Sequence, residues 1–392
     1  MMAYESDFRM SMGLFDGKAP LPCPEQIWDE PMLNVARLLI LTSGPPSLYL
    51  ALDILYTEQR IVPNLGELSR VLLIHGMYSR VWEVARYHSG HLSDWVPTAL
   101  SEHHHRTIPE GIIKLSSTPV VSRWINGSCD CLDILHWSAQ STILQASGLE
   151  HPTVLHLHLA RLILLAPVSD LQELAKAKVH QKTPSQAESY LYTNMQEHGL
   201  RNSLLKWVLH NHYKARLAII HAGSIFWYLR RYSCGAVVEP FANYLATLVI
   251  WAYSVSTSSQ VPTLEDHSVP DYYHPSPLQT QISDAMEQLE SHGTSLIQLD
   301  RPCDDELVQL FVRFGEQMTP YMARIGNIKH RDSAGKILRE GIKLLSCHDN
   351  KVTGLRRDGS KAFVNCTWGV AETFTSILSA LGAVPEQNAI PA

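Results

Sequence analysis

Residues 124–167 read WINGSCDCLDILHWSAQSTILQASGLEHPTVLHLHLARLILLAP, and this stretch decides the fold. Leu132, Leu135, Ala139, Ile143 and Ala146 recur at three- and four-residue spacing, which places them on one face of a helix. Gly148 suits the end of that helix, because glycine adopts positive φ without a Cβ penalty. Pro152 suits the first turn of a second helix, where its missing N–H costs nothing, and Pro167 stops it. The spacing therefore predicts two apolar helices in series. No recognisable catalytic apparatus accompanies them.

Working outward, the bulk composition sets the class. A chain of 392 residues, 45% of them hydrophobic, can bury a sizeable core as one large domain or two or three smaller ones. Net charge is −6 with pI near 6.4, so the protein as a whole repels a polyanion. Arg230-Arg231 and Arg356-Arg357 are pairs, not the basic run that a nucleic-acid surface or an import signal needs. Seven cysteines at irregular spacing make no disulfide framework, and the expectation is a reducing compartment. The first residues, Met1-Met2-Ala3-Tyr4-Glu5-Ser6-Asp7, lack the basic start and apolar run of a secretory signal. Residues 241–255 carry no charge but fall short of the about 20 residues a spanning helix needs, so they are expected as a buried core helix.

Four segments emerge along the chain. Residues 1–30 form an irregular lead-in, and 31–253 a helical domain with breaks at Gly44-Pro45-Pro46 and Pro63-Asn64. Residues 254–302 form a Ser/Thr/Pro-rich linker punctuated by Pro262, Pro270, Pro275 and Pro277. Residues 303–392 form a C-terminal helical region expected to pack on the first. Within 65–86, Leu68, Val71, Leu72, His75, Tyr78 and Trp82 share a face. Within 204–229, Leu205, Val208, His212, Ala215, Ile219, Ala222, Phe226 and Leu229 hold a seven-residue repeat, the inner face of a core helix or else a pairing seam. Helical patterning returns at 304–322, 333–347 and 367–381, with 351–360 as a polar turn region. The fold class is all-α, an irregular multi-helix array.

Several words in these segments resemble the regulatory, or middle homology, region of fungal-specific transcription factors, especially those with a two-cysteine, two-histidine zinc finger. Cys131-Leu132-Asp133-Ile134-Leu135-His136-Trp137, Ser147-Gly148-Leu149-Glu150-His151-Pro152-Thr153 and Leu157-His158-Leu159-Ala160-Arg161-Leu162-Ile163-Leu164-Leu165 carry the resemblance. Upstream, Leu14-Phe15-Asp16-Gly17-Lys18 and Leu21-Pro22-Cys23-Pro24-Glu25-Gln26-Ile27-Trp28 are similar to a segment of the same region. Ile337-Leu338-Arg339-Glu340-Gly341 and Trp368-Gly369-Val370 are shorter echoes. The resemblance implies a nuclear transcription regulator, not an enzyme, controlling a metabolic or secondary-metabolite gene set. It also implies a zinc-containing DNA-binding module upstream; no zinc-ligating or base-contacting position of that module is matched here. DNA contact is thus expected only indirectly, through a missing N-terminal segment or a partner chain.

Twenty histidines raise the question of a metal. His156-Leu157-His158 would chelate on a strand, where alternate residues share a face, but two residues apart on a helix they point about 200° from one another. A metal-dependent hydrolase using His156 and His158 is the remote alternative. His210-Asn211-His212 poses the same question. Cys129-Asp130-Cys131 is too closely spaced to open a familiar zinc site, and His103-His104-His105 suits a solvated loop. Asp130, Asp133 and Glu150 fit caps or surface charges, with Glu150 placed to favour a helix N-terminus. Trp124, Trp137, Trp207 and Trp227 fit core packing, with a small-molecule effector pocket between helices as the functional option. No Gly-x-Ser-x-Gly elbow, phosphate loop or dinucleotide loop occurs. The expected catalytic, cofactor and metal sites are none. The expected partners are proteins met through helices, a second copy included, with no membrane. A shortened protein that sequesters a longer regulator is the other interaction class.

Overall fold

The computed structural model describes residues 20–25, 27, 46–89, 119–145, 152–180, 187–258, 296–346, 352–355, 361–363 and 369–382. Among these residues the chain forms eleven α-helices and two small sheets, and it divides into two compact units, 1–164 and 165–392. The boundary thus falls within the expected 31–253 domain.

In the first unit, α1 (Leu48–Thr57) starts at Ser47, whose hydroxyl accepts from the Leu50 amide at 3.2 Å. The helix α2 (Glu67–Ser89) packs on α1 and on α3 (Pro119–Gln145), and α4 (Pro152–Leu165) completes the group. Leu132, Leu135 and Ala139 are buried as their spacing predicts; Ile143 and Ala146 have side chains outside the described residues, as do Gly148, Glu150 and His103–His105. Pro152 does occupy the first position of α4, which ends at Leu165 ahead of Pro167. The predicted face of α2 is rotated from the real one. Leu68 is exposed, whereas Leu73, Ile74, Met77 and Tyr78 are buried, because apolar residues run nearly all round this helix and periodicity cannot choose among them.

Part of the expected irregular lead-in is pinned down. The Leu21 amide donates to Pro46 O at 2.9 Å, and both oxygens of Glu25 accept backbone amides at the start of α2, Glu67 at 3.0 Å and Leu68 at 2.8 Å. Ser69 adds a hydroxyl bond to Pro22 O at 3.0 Å. Residues 20–25 therefore act as a clip that satisfies orphan donors of α2 and places a negative charge at its positive end.

In the second unit the pair α7 (His212–Tyr232) and α8 (Val238–Ser258) forms the centre, with α5 (Val168–His180), α6 (Ala187–His210), α9 (Asp305–Phe314), α10 (Ser333–Ser346) and α11 (Gly369–Gly382) around them. Every residue of α8 from Val238 to Ser254 is buried, and no single helix among the described residues is long and apolar enough to cross a membrane. The 204–229 stripe is broken at Asn211, where α6 ends and α7 begins. Ala215, Ile219, Ala222, Phe226 and Leu229 are buried in this unit as a core face. Gly341 and Gly223 sit at close approaches: a Cβ on Gly341 would collide with the Thr247 side chain of α8, and one on Gly223 with the Leu299 carbonyl.

The described residues are mostly helical, in keeping with the all-α expectation, and five short strands add two small sheets to them. Strand β1 (Leu296–Gln298) runs parallel to β2 (Thr319–Met322), which pairs antiparallel with β3 (Gly326–Asn327); β4 (Val352–Leu355) and β5 (Lys361–Phe363) form a hairpin. The helix expected over 304–322 is cut short at Phe314, and Thr319-Pro320-Tyr321-Met322 is extended instead. Both ends of the expected 254–302 linker lie in ordered elements instead: α8 continues to Ser258, and 296–300 belong to the sheet and its turn, with Ile297, Leu299 and Asp300 buried; residues 259–295 lie outside the described residues. Asp300 accepts from Arg230 and from the Ala323 amide at 2.9 Å. Arg230 also donates to Glu340 at 3.0 Å, which Arg324 approaches at 3.2 Å. This ionic knot joins α7, the turn after β1, the turn between β2 and β3, and α10.

Candidate functional site

The densest polar chemistry of the first unit lies along α4. This helix is apolar enough to be buried on most sides: Val154, Leu155, Leu157, Leu159, Ala160, Leu162 and Ile163 are all buried. Its polar residues must therefore find protein partners, since a buried donor or charge left alone costs several kcal/mol.

They do so in two directions. His156 points to α2, where its Nδ1 lies 3.1 Å from His75 Nε2. His158 points to α3, where its ring meets that of His136 edge-on at a centroid distance of 5.4 Å. One turn further, Arg161 is bonded to the Asp133 carboxylate and donates to Cys129 O at 3.2 Å. At the start of the helix the Thr153 hydroxyl donates to Glu67 at 2.7 Å. The two imidazoles of the His-x-His word are thus separated as helical geometry requires, and each pairs with a histidine from a different helix. They do not converge on a common point. Among the described residues, no set of three or more His, Cys, Asp or Glu side chains is placed to hold a metal ion.

Burial pushes His75 down to about 3, with the facing His156 adding to the effect. Burial likewise lowers His156 to about 4, and lowers His158 to about 3, where His136 and Arg161 act in the same direction. His75, His156 and His158 are neutral at neutral pH, so in the hydrogen-bonded His75–His156 pair one ring nitrogen donates and the other accepts. On α3 the Cys131 thiol, pushed up to about 11 by burial, contacts Leu55 O and is a poor nucleophile. Such an arrangement binds helix to helix and stores neutral imidazoles.

The remaining sequence candidates are scattered. Trp124 lies tilted against Tyr56, with centroids 4.6 Å apart, and lines an open depression of about 780 Å³ with Gln59, Arg123, Asn126 and Asp130. Trp137 lies on the same helix and is 71% exposed. In the second unit Trp207 is buried and donates to Leu165 O at 2.9 Å, while Trp227 lies against Tyr232. Trp124 and Trp137 thus belong to the first unit, Trp207 and Trp227 to the second. His210 closes α6 and His212 opens α7, with His212 Nδ1 3.3 Å from Leu209 O.

Sequence reasoning passed over His75, His136, Arg161 and Glu25 as site residues. One signal was available: Arg161 is the sole charge between Pro152 and Leu165, and a charge inside an apolar helix calls for a partner. Nothing local marks His75, whose partner is 81 residues away.

No protein-family model, no curated protein and no solved structure matches this chain.

Proposed function

We propose that this chain is the helical regulatory region of a fungal-type transcription regulator, nuclear, acting through protein contacts, with sequence-specific DNA binding supplied by another segment or a partner. The single observation that supports this is where the resembling words sit. Residues 21–25, residues 131–137 and α4 are far apart in sequence, yet in the first unit they are tied through one another: Glu25 caps α2, Thr153 of α4 bonds to Glu67 at the same helix start, and Arg161 of α4 clamps Asp133 of α3. Their marked residues serve a scaffold, which is what a regulatory body requires and an active site does not. The finer fold assignment, an irregular array of the fungal regulatory type, rests on the same ground.

The test is to fuse the full chain to an unrelated DNA-binding domain in yeast and measure a reporter bearing that domain's operator. A severalfold change in output over the DNA-binding domain alone is expected, lost when Arg161→Met breaks the α3–α4 clamp. Output equal to the bare domain, with the fusion intact and nuclear, refutes the proposal.

A further inference from the structure

Four histidines from three helices meet as two pairs on α4, His75 with His156 and His136 with His158. We propose that α4 is an acid-released latch, held to α2 by the hydrogen-bonded His75–His156 pair and seated on α3 through His158, and freed when these three imidazoles take up protons. The latch does not depend on the regulatory role proposed above.

The chemistry of a hydrogen-bonded imidazole pair gives the direction. With His75 Nε2 and His156 Nδ1 at 3.1 Å, one hydrogen occupies the contact. A first added proton goes to an outer nitrogen and leaves the contact intact, but it puts a positive charge in a buried place. A second fills the accepting nitrogen and sets two N–H groups face to face, which breaks the pair. Among the described residues, the carboxylates that these helices carry are engaged elsewhere or exposed. Of the charged groups these helices turn toward one another, Glu67 is paired with Arg70 on α2, and Asp133 of α3 with Arg161 of α4. Asp130 on α3 and Asp53 on α1 are exposed, and the Cys131 thiol remains neutral. Arg161, one turn from His158, opposes a further cation there.

The sign follows from proton counting. Folded His75, His156 and His158 bind protons only near about 3 to 4, whereas a solvated imidazole binds one near about 6.5. The opened state therefore holds more protons across that interval. The latch is at full strength above about pH 6.5 and weakens as pH falls, its opening constant rising about tenfold per pH unit for each histidine that takes up a proton on opening.

Hydrogen exchange followed by mass spectrometry on the full chain, from about pH 7.5 to about pH 4.5 and corrected for intrinsic rates, reads this directly. Protection of the α4 amides should hold level down to about pH 6.5 and then fall at least tenfold per pH unit, while α7 in the second unit lags behind. The double variant H75Q/H156N keeps a hydrogen bond at the contact, Gln standing for Nε2 and Asn for Nδ1, but cannot titrate. Its α4 protection should lose about tenfold or more of that dependence per pH unit. Constant α4 protection in the wild-type protein, or an unaltered dependence in the variant, overturns the latch. Should the variant fail to fold, imidazole proton resonances of the wild-type chain decide: no titration of His75, His156 or His158 above about pH 5 supports the proposal, and titration near about 6.5 refutes it.

Discussion

Replacing Glu25 with alanine should loosen the whole N-terminal edge of the first unit. Its two carboxylate oxygens accept the Glu67 and Leu68 amides at 3.0 and 2.8 Å, and they are the acceptors seated on the start of α2. A lost cap costs about 0.5–2 kcal/mol, and the lost charge at a helix N-terminus about 0.3–1 kcal/mol more. Leu68 is 54% exposed, so water reaches its amide and replaces part of the bond, which holds the expected cost of Glu25→Ala near about 2 kcal/mol. Glu25→Gln, which keeps one neutral acceptor, should lose about 1 kcal/mol. A Cβ at Gly66 would press on Glu25 and on the Pro24 backbone, so Gly66→Ala should weaken the same clip. The two changes together should cost less than their sum, since either alone disrupts the contact. Urea unfolding followed by far-ultraviolet circular dichroism measures all four states. Glu58→Ala is the control: Glu58 and Arg60 form an exposed pair at 2.6 Å, worth under about 1 kcal/mol. If Glu25→Ala costs no more than that control, or if the Glu25 and Gly66 effects add fully, the clip is not what holds α2.

The other expectations concern the second unit. Gly341→Ala should lower stability by about 1–3 kcal/mol because its new methyl meets Thr247, and Thr247→Ala should restore part of the loss in thermal unfolding. Gly335→Ala in the same helix has open space around it and should be neutral or stabilising by up to about 1 kcal/mol. Removing the guanidinium with Arg230→Met leaves Asp300, whose side chain is wholly buried, without its cation, and should cost about 3–5 kcal/mol in the same urea assay; a loss under about 1 kcal/mol would refute the knot.

Local signals were legible and distant ones were not. Pro152, Pro167 and the Leu132–Leu135–Ala139 spacing fix α3 and α4 because helix periodicity and proline chemistry act within a few residues. Charge-free residues 241–255 likewise declared a core helix. The single stripe over 204–229 concealed a break at Asn211, since a heptad pattern continues across a one-residue interruption when both helices bury the same side. Strand β2 could not be read: four residues hold too little alternation, and its partner β1 lies 23 residues away in register, next to a proline-rich stretch. The site was the least legible part. The histidine word at 156 and 158 was visible, and its divergence followed from helical geometry, but which histidines receive it depends on the packing of α2 and α3.

Residues 165–258 and 296–346 are joined in the second unit by bonds that ignore the intervening sequence: Arg230 reaches both Asp300 and Glu340, Asn243 donates to Gly341 O at 2.9 Å, and Arg216 donates to Val312 O at 2.9 Å. Continuity of the backbone through 259–295 is therefore not what holds these parts in place. A protease nick there should give two pieces that separate on a denaturing gel yet travel together through a sizing column, and the pieces made as independent polypeptides should reassemble on mixing.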